Sequence, residues 1–271
     1  MNNTMQALSI LQISDTHLLA ESEDKMLGIA TEKYFVRVLE QAFAEQRHYD
    51  LVLVTGDLTQ TPTVQSYQRI ANYLAQSGIP VRCLPGNHDN LSLMQQVLNT
   101  ATLSCHPHAV FEQWQVILLN SQIVGDAGGR LLPKELILLE NCLKQYPEHF
   151  AMVATHHHCV PTQSEWMDTM MIENSHEFLE LVQRYPQVKV ITTGHIHQEL
   201  DVQTSGFRIL GNPSTCFQFT PFSPDFSLDE TAPGYRQFLL YPDGSLSTEV
   251  KRLPGALTEL QWDENGYFEG P

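Results

Sequence analysis

Five short apolar runs in this chain end alike, each handing over to a tight polar cluster of Asp, Asn, His and Gly. Leu8 to Ser14 meets Asp15-Thr16-His17, and Leu51 to Thr55 breaks at Gly56-Asp57. Ile79 to Leu84 passes through Pro85 into Gly86-Asn87-His88-Asp89. Phe150 to Thr155 meets His156-His157-His158, and Val188 to Thr192 closes at Gly194-His195-Ile196-His197. Apolar runs of this length, bounded by turn signals, read as strands buried on both faces of a sheet. Each polar group left unpaired in such a core costs about 1–3 kcal/mol, so these side chains belong at strand ends. Taken singly, each ending is ordinary turn chemistry. Five in one chain describe a sheet edge built into a site.

Helical spacing fills the gaps between these strands. Tyr34, Phe35, Val38, Leu39, Ala42 and Phe43 give a helix from Thr31, as N-cap, to Gln46. Tyr67, Ile70, Ala71 and Leu74 give another from about Thr63 to Gln76. Further helices are expected over Leu91 to Leu98, from Pro133 to Gln145, and from a Ser175 cap through Arg184, with a strand over Trp114 to Asn120. Cys159 to Glu173 is a long connection carrying Trp166, a lid or pocket wall. Beyond Leu200 the pattern becomes strands alone: Leu200 to Thr204, Phe207 to Gly211, Tyr235 to Tyr241 and Ser247 to Arg252, with a turn at Pro242-Asp243-Gly244. The order predicts an α/β fold with two β-sheets packed face to face and helices outside, an αββα sandwich. Residues 1–252 would form a single domain. Residues 253–271 would form a partly ordered tail anchored by Trp262 and Tyr267.

With 31 acidic and 15 basic residues, a net charge of −16, the chain lacks the basic surface that nucleic acid or an anionic membrane requires. A small anionic substrate would then meet positive charge from bound metal. The five cysteines are scattered and never spaced C-x-x-C, which reads as reduced and mostly structural. Met1 to Ala7 shows no basic stretch leading into an apolar one, and no run nears the ~18 apolar residues of a membrane span, so a cytoplasmic location is expected.

The ligand candidates at the strand ends are Asp15, His17, Asp57, Asn87, His156, His195 and His197. That is too many N and O donors for one tetrahedral zinc, and about right for two metals sharing a carboxylate. Without Cys among them, the set suits Mn, Fe, Co or Zn. Glycine beside Asp57, Asn87 and His195 is expected to supply unusual backbone angles. His48, His106, His108, His149 and His176 fall outside the pattern and read as surface residues.

The series Asp-Thr-His, Gly-Asp, Leu-Pro-Gly-Asn-His-Asp, His-His-His and Gly-His-Ile-His-Gln-Glu-Leu resembles that of calcineurin-like metallophosphoesterases. Within them it is most similar to the bacterial class III cyclic nucleotide phosphodiesterases that hydrolyse 3′,5′-cyclic AMP. The likeness runs through Asn120-Ser121-Gln122 and Asn212-Pro213-Ser214-Thr215-Cys216 to Ala232-Pro233-Gly234-Tyr235, over most of residues 8–252. It implies one metal on Asp15, His17, Asp57 and His197, and another on Asp57, Asn87, His156 and His195, with Asp57 bridging. Fe and Mn are the expected pair. Many relatives have His-His-Pro-Pro where this chain has His156-His157-His158-Cys159; His156, first past the strand, is taken as the ligand. The implied reaction is hydrolysis of cyclic AMP to 5′-AMP by in-line attack of a metal-bridging hydroxide. Another small phosphodiester or phosphomonoester is the alternative substrate. His88 would protonate the departing 3′-oxygen and Asp89 would orient it or cap the turn. His17, Asp57, Asn87, His88, His156 and His197 would contact substrate.

Overall fold

Alternate side chains along the central strands enter different cores, and this alternation sets the layers. The computed structural model describes residues 6–45 and 48–261. In chain order the elements are β1 (Leu8–Ile13), α1 (Thr31–Glu45), β2 (Leu51–Thr55), α2 (Val64–Ala75), β3 (Val81–Leu84), α3 (Leu91–Leu98), β4 (Leu103–Ser104), β5 (His108–Val110), β6 (Trp114–Leu118) and α4 (Pro133–Gln145). There follow β7 (Phe150–Thr155), α5 (Glu165–Asp168), α6 (Ser175–Gln183), β8 (Val188–Thr193), β9 (Leu200–Gln203), β10 (Arg208–Gly211), β11 (Gln218–Phe219), β12 (Leu228–Asp229), β13 (Gly234–Leu240) and β14 (Leu246–Arg252).

One six-stranded sheet has the order β14-β13-β1-β2-β3-β4 and the other β5-β6-β7-β8-β10-β9. Strands β1 to β4 run parallel, β13 lies antiparallel beside β1, and β14 pairs antiparallel with β13. In the second sheet β6, β7, β8 and β10 are parallel, and β5 and β9 close the edges antiparallel. Ile10, Leu51 and Leu53 meet Val116, Leu118, Met152 and Val190 between the sheets. Their neighbours Leu11, Val52 and Val54 face Phe35, Val38 and Ile70 of α1 and α2. On the far side Ile117, Val153 and Ile191 pack on Leu139 of α4 and Phe178 of α6. The result is the expected αββα sandwich, each buried Leu, Ile, Val or Phe contributing about 1.5–3 kcal/mol. Gln12 crosses the inter-sheet core, donating to Thr55 Oγ1 (2.9 Å) and accepting from Thr192 Oγ1 (2.6 Å).

Thr63 caps α2 with a reciprocal Ser66 bond, and Pro133 opens α4. Two expected caps differ. Thr31 is the first helical residue, and its hydroxyl donates to the His17 carbonyl (2.9 Å). Ser175 likewise lies inside α6 behind Asn174, whose amide is engaged with Leu131. Strands β4, β5, β11 and β12 and helix α5 were not foreseen, because two to four residues are too few to show a period. Gly244, at φ +84°, turns β13 into β14. Residues 253–261, read as tail, are held: Leu253 and Leu257 are buried, and Gln261 N donates to Leu27 O (3.0 Å). Gln46, Trp262 and Tyr267 lie outside the described residues. All five cysteines are unpaired and four are buried. Among the described residues no helix is long and apolar enough to cross a membrane.

Candidate metal centre

Because β1, β2 and β3 are parallel neighbours, their C-terminal ends deliver Asp15, His17, Asp57 and Asn87 to one edge. The parallel pair β7 and β8 of the facing sheet delivers His156, His195 and His197 to the same place. Ligand atoms of Asp15, His17 and His197, of Asp15, Asp57 and His156, and of His17, Asp57 and His88 lie within 4.8 Å of one another in each group. Asn87 joins them through its Oδ1, 3.0 Å from His156 Nε2.

The backbone is strained where the donors converge. Among the described residues eight non-glycine residues have positive φ, and five are candidate ligands: Asp15 (55°), His17 (44°), Asp57 (49°), His195 (65°) and His197 (45°). Each such conformation costs on the order of 1–3 kcal/mol and persists only where the surroundings enforce it. Here Asp15 N donates to Gly56 O and His17 N to Asp57 O (both 3.0 Å), and Gly194 N donates to His156 O (3.1 Å). His195 N donates to the Asp15 carboxylate (3.0 and 3.1 Å). The glycines serve differently from expectation. Gly56 alone of the three has positive φ (92°), whereas Gly86 and Gly194 are needed for space. A Cβ on Gly86 would lie 2.1 Å from Asp57 Oδ1, and one on Gly194 2.1 Å from Ser14 Oγ.

Hydrogen bonds behind the rings fix which nitrogen faces the centre. His156 Nδ1 lies 2.8 Å from Thr55 O and His197 Nδ1 2.9 Å from Phe217 O, carbonyls that only accept, so each Nδ1 carries its proton. His17 Nδ1 is 2.8 Å from Gln60 Oε1 in the same manner. In the neutral rings every Nε2 then presents its lone pair inward. His17 Nε2 and His197 Nε2 stand 3.2 Å apart, and His156 Nε2 is 3.2 Å from Asp57 Oδ2. Asp57 Oδ2 and both ring nitrogens of His195 are buried without a hydrogen-bond partner. Acceptors gathered on acceptors repel unless a cation lies among them, and N/O donors with carbonyl-anchored imidazoles are the donor set of a transition-metal site. The residues fit a metal pair.

Burial drives His17 down to about 3, against the pull of Asp57, and holds His195 well below the usual imidazole range. Burial also opposes charge on His156, but the Asp57 carboxylate outweighs it and raises that ring to about 9. Burial likewise disfavours ionised Asp57, yet His156 and the neighbouring imidazoles hold its carboxyl well below the carboxylate range.

His88, half-buried, is tied to this group by its main-chain N–H to Asp57 Oδ1 (2.9 Å), and its ring meets His17 edge-on at 5.2 Å. Of the two roles read for Asp89, its contacts describe the cap of the turn. Its carboxylate accepts from Leu58 N (3.1 Å), Thr59 N (3.3 Å), Gly86 N (3.0 Å) and Tyr67 Oη (2.9 Å), which makes it a clamp on the turn. His157 Nδ1 lies 2.8 Å from Ser121 Oγ, and His158 stacks on His195 with Nε2 3.4 Å from Asp168 Oδ1. Cys159 to Glu173 is a packed wall: Asp168 accepts from Thr162 N and Gln163 N, and Cys159, Thr162, Ser164, Met167, Met170 and Ile172 are buried. His48, His106, His108, His149 and His176 join none of the clusters among the described residues. Sequence reasoning missed Gln60, Phe217 and Phe219, the last stacked on His197 at 4.3 Å, because no spacing marks a residue that supports a ligand from another loop.

Known proteins resemble this chain in sequence and in fold. A profile of calcineurin-like phosphoesterases matches residues 8–199. The protein named 3′,5′-cyclic adenosine monophosphate phosphodiesterase CpdA of Haemophilus influenzae is 38% identical, the alignment covering 96% of this chain and 95% of that one. The CpdA of Escherichia coli is 39% identical, over 95% and 94% respectively. A solved dimetal phosphatase from Danio rerio shares the fold, with TM-score 0.64 at 12% identity, covering 91% of this chain and 96% of that one. With its strand-end donors drawn into one cluster, the chain belongs to the calcineurin-like phosphoesterase family.

Proposed function

We propose that this chain is a metal-dependent phosphodiesterase that opens 3′,5′-cyclic AMP to 5′-AMP. The observation that carries the chemistry is the convergence of the His17, His197 and His156 Nε2 atoms with the Asp57 carboxylate in one buried cluster. The substrate follows the names of relatives aligned over nearly the whole chain. Asp15, His17, Asp57 and His197 would hold one ion, and Asp57, Asn87, His156 and His195 the other. Fe and Mn are proposed, and Zn or Co also suits a nitrogen and oxygen set without thiolate. When bound, such a pair supplies positive charge for phosphate oxygens and lowers the pKa of water.

The chain's own residues do the rest. His17, Asp57, Asn87, His88, His156 and His197 would surround the phosphate, and the chain's net charge of −16 favours a small substrate over nucleic acid or membrane, in a cytoplasmic setting. His88 stands outside both ligand sets, beside Asn87, locked to Asp57 through its main chain. It would give a proton to the departing 3′-oxygen. Metal-analysed protein incubated with cyclic AMP, cyclic GMP, 2′,3′-cyclic AMP and a generic diester tests the reading. Release of 5′-AMP with cyclic AMP preferred is expected; turnover of another ester with no cleavage of cyclic AMP would reject it.

A further inference from the structure

The turn that carries Asn87 and His88 is gripped from both sheets. From its own sheet Asp89 binds Gly86 N, Leu58 N and Thr59 N. From the other sheet, in the loop after β6, Gln122 Nε2 donates to Gly86 O (2.8 Å) and Asp89 O (2.5 Å), the two carbonyls that bracket Asn87-His88. Both partners only accept, so the amide must present its NH₂ end. Gln122 is itself held, its main-chain N–H donating to Asn120 Oδ1 (2.9 Å). The preceding residue engages the other half of the site: Ser121 Oγ lies 2.8 Å from His157 Nδ1 and accepts from His157 N (3.2 Å), directly after His156. Adjacent residues of one loop thus hold the two turns whose side chains, Asn87 Oδ1 and His156 Nε2, meet at 3.0 Å.

We infer that Ser121 and Gln122 are positioning residues that set the spacing of Asn87 against His156, and so the affinity of the second metal position and the aim of His88. The inference rests on the proposed ligand sets but not on the identity of the substrate. Groups that orient metal ligands typically govern affinity by ~10–100-fold, and Ser121 and Gln122 orient the turns that carry Asn87 and His156.

The test is calorimetric titration of metal-stripped protein with Mn²⁺, for wild type, Gln122→Met, which keeps length and removes the donors, and Ser121→Ala, with melting temperature recorded for each. Gln122→Ala serves as a second variant if methionine fails to fold. One of two Mn²⁺ equivalents should weaken by ~10–100-fold while the other stays within about twofold. Hydrolysis of cyclic AMP should also fall further than that of bis(p-nitrophenyl) phosphate, through misplaced His88. Unchanged binding of both equivalents in folded variants overturns the inference, as does equal weakening of both with a lowered melting temperature, which marks general packing. Wild type that binds no pair of ions would instead overturn the proposed metal centre, and wild type that binds two but ignores cyclic AMP would overturn only the substrate.

Discussion

His17 and His197 face each other nitrogen to nitrogen, Nε2 to Nε2 at 3.2 Å, with both protons committed on the far side to Gln60 and Phe217. Two lone pairs at that distance repel, and the residues carrying them also sit at φ of 44° and 45°. A cation held between the two nitrogens would turn that repulsion into attraction.

Stripping the metals should lower stability as well as abolish turnover. A ligand that binds only the folded state adds about 2.7 kcal/mol at 100 times its Kd. For a chain of this size that is roughly 5–10 °C in melting temperature. Calorimetry before and after chelation, then after added Mn²⁺, reads this. An unchanged melting temperature in demonstrably metal-free protein would contradict it.

Asp57→Ala should be the most damaging ligand change, because Asp57 lies against both His17 (3.8 Å) and His156 (3.2 Å). Losing both ions removes several kcal/mol of charge stabilisation, roughly 10³-fold or more in rate. Metal analysis should find both equivalents depleted, whereas Asp15→Ala should leave one. Full retention of one equivalent in Asp57→Ala would end the bridging role.

Gly86→Ala should behave as a site mutation although Gly86 is no ligand. Its new Cβ would sit 2.1 Å from Asp57 Oδ1, so the shared carboxylate must move and metal content should drop. Gly78 is the control: its φ of +66° predicts a loss of about 1–2 kcal/mol of stability for Gly78→Ala, yet nothing lies within 4 Å of the added carbon, so activity should persist. Both melting curves should fall, whereas metal content should drop in Gly86→Ala only.

Much of this was legible in the sequence because strand and motif coincide. Asp15 and His17 follow directly on β1, and Asp57 on β2, so the apolar run announces both the element and the place where its donors emerge. Gln60, Ser121 and Gln122 carried no comparable signal. Their roles depend on which loop packs on which turn, and that is decided by the face-to-face stacking of two sheets. Asp89 shows the converse: its proximity to His88 in sequence suggested a partner, but three main-chain N–H groups and Tyr67 already claim its carboxylate. The Thr31 cap failed for a related reason, since a hydroxyl at a helix start also finds tertiary acceptors, as Thr31 finds His17 O.

The sharpest prediction concerns His88 as general acid. A ribose alkoxide leaves poorly and needs a proton, whereas nitrophenolate leaves unaided, so His88→Asn should lose roughly 10²–10⁴-fold on cyclic AMP and far less on bis(p-nitrophenyl) phosphate. If His88 instead only holds the phosphate, both substrates should suffer alike, because both present the same diester group. The main-chain bond from His88 N to Asp57 Oδ1 does not involve the side chain, so the substitution leaves that tie in place. Metal content must still be measured, since Asn87 is adjacent and a shifted turn would empty one position. At full occupancy, equal losses on the two diesters would remove the acid role and leave His88 as a phosphate-binding residue.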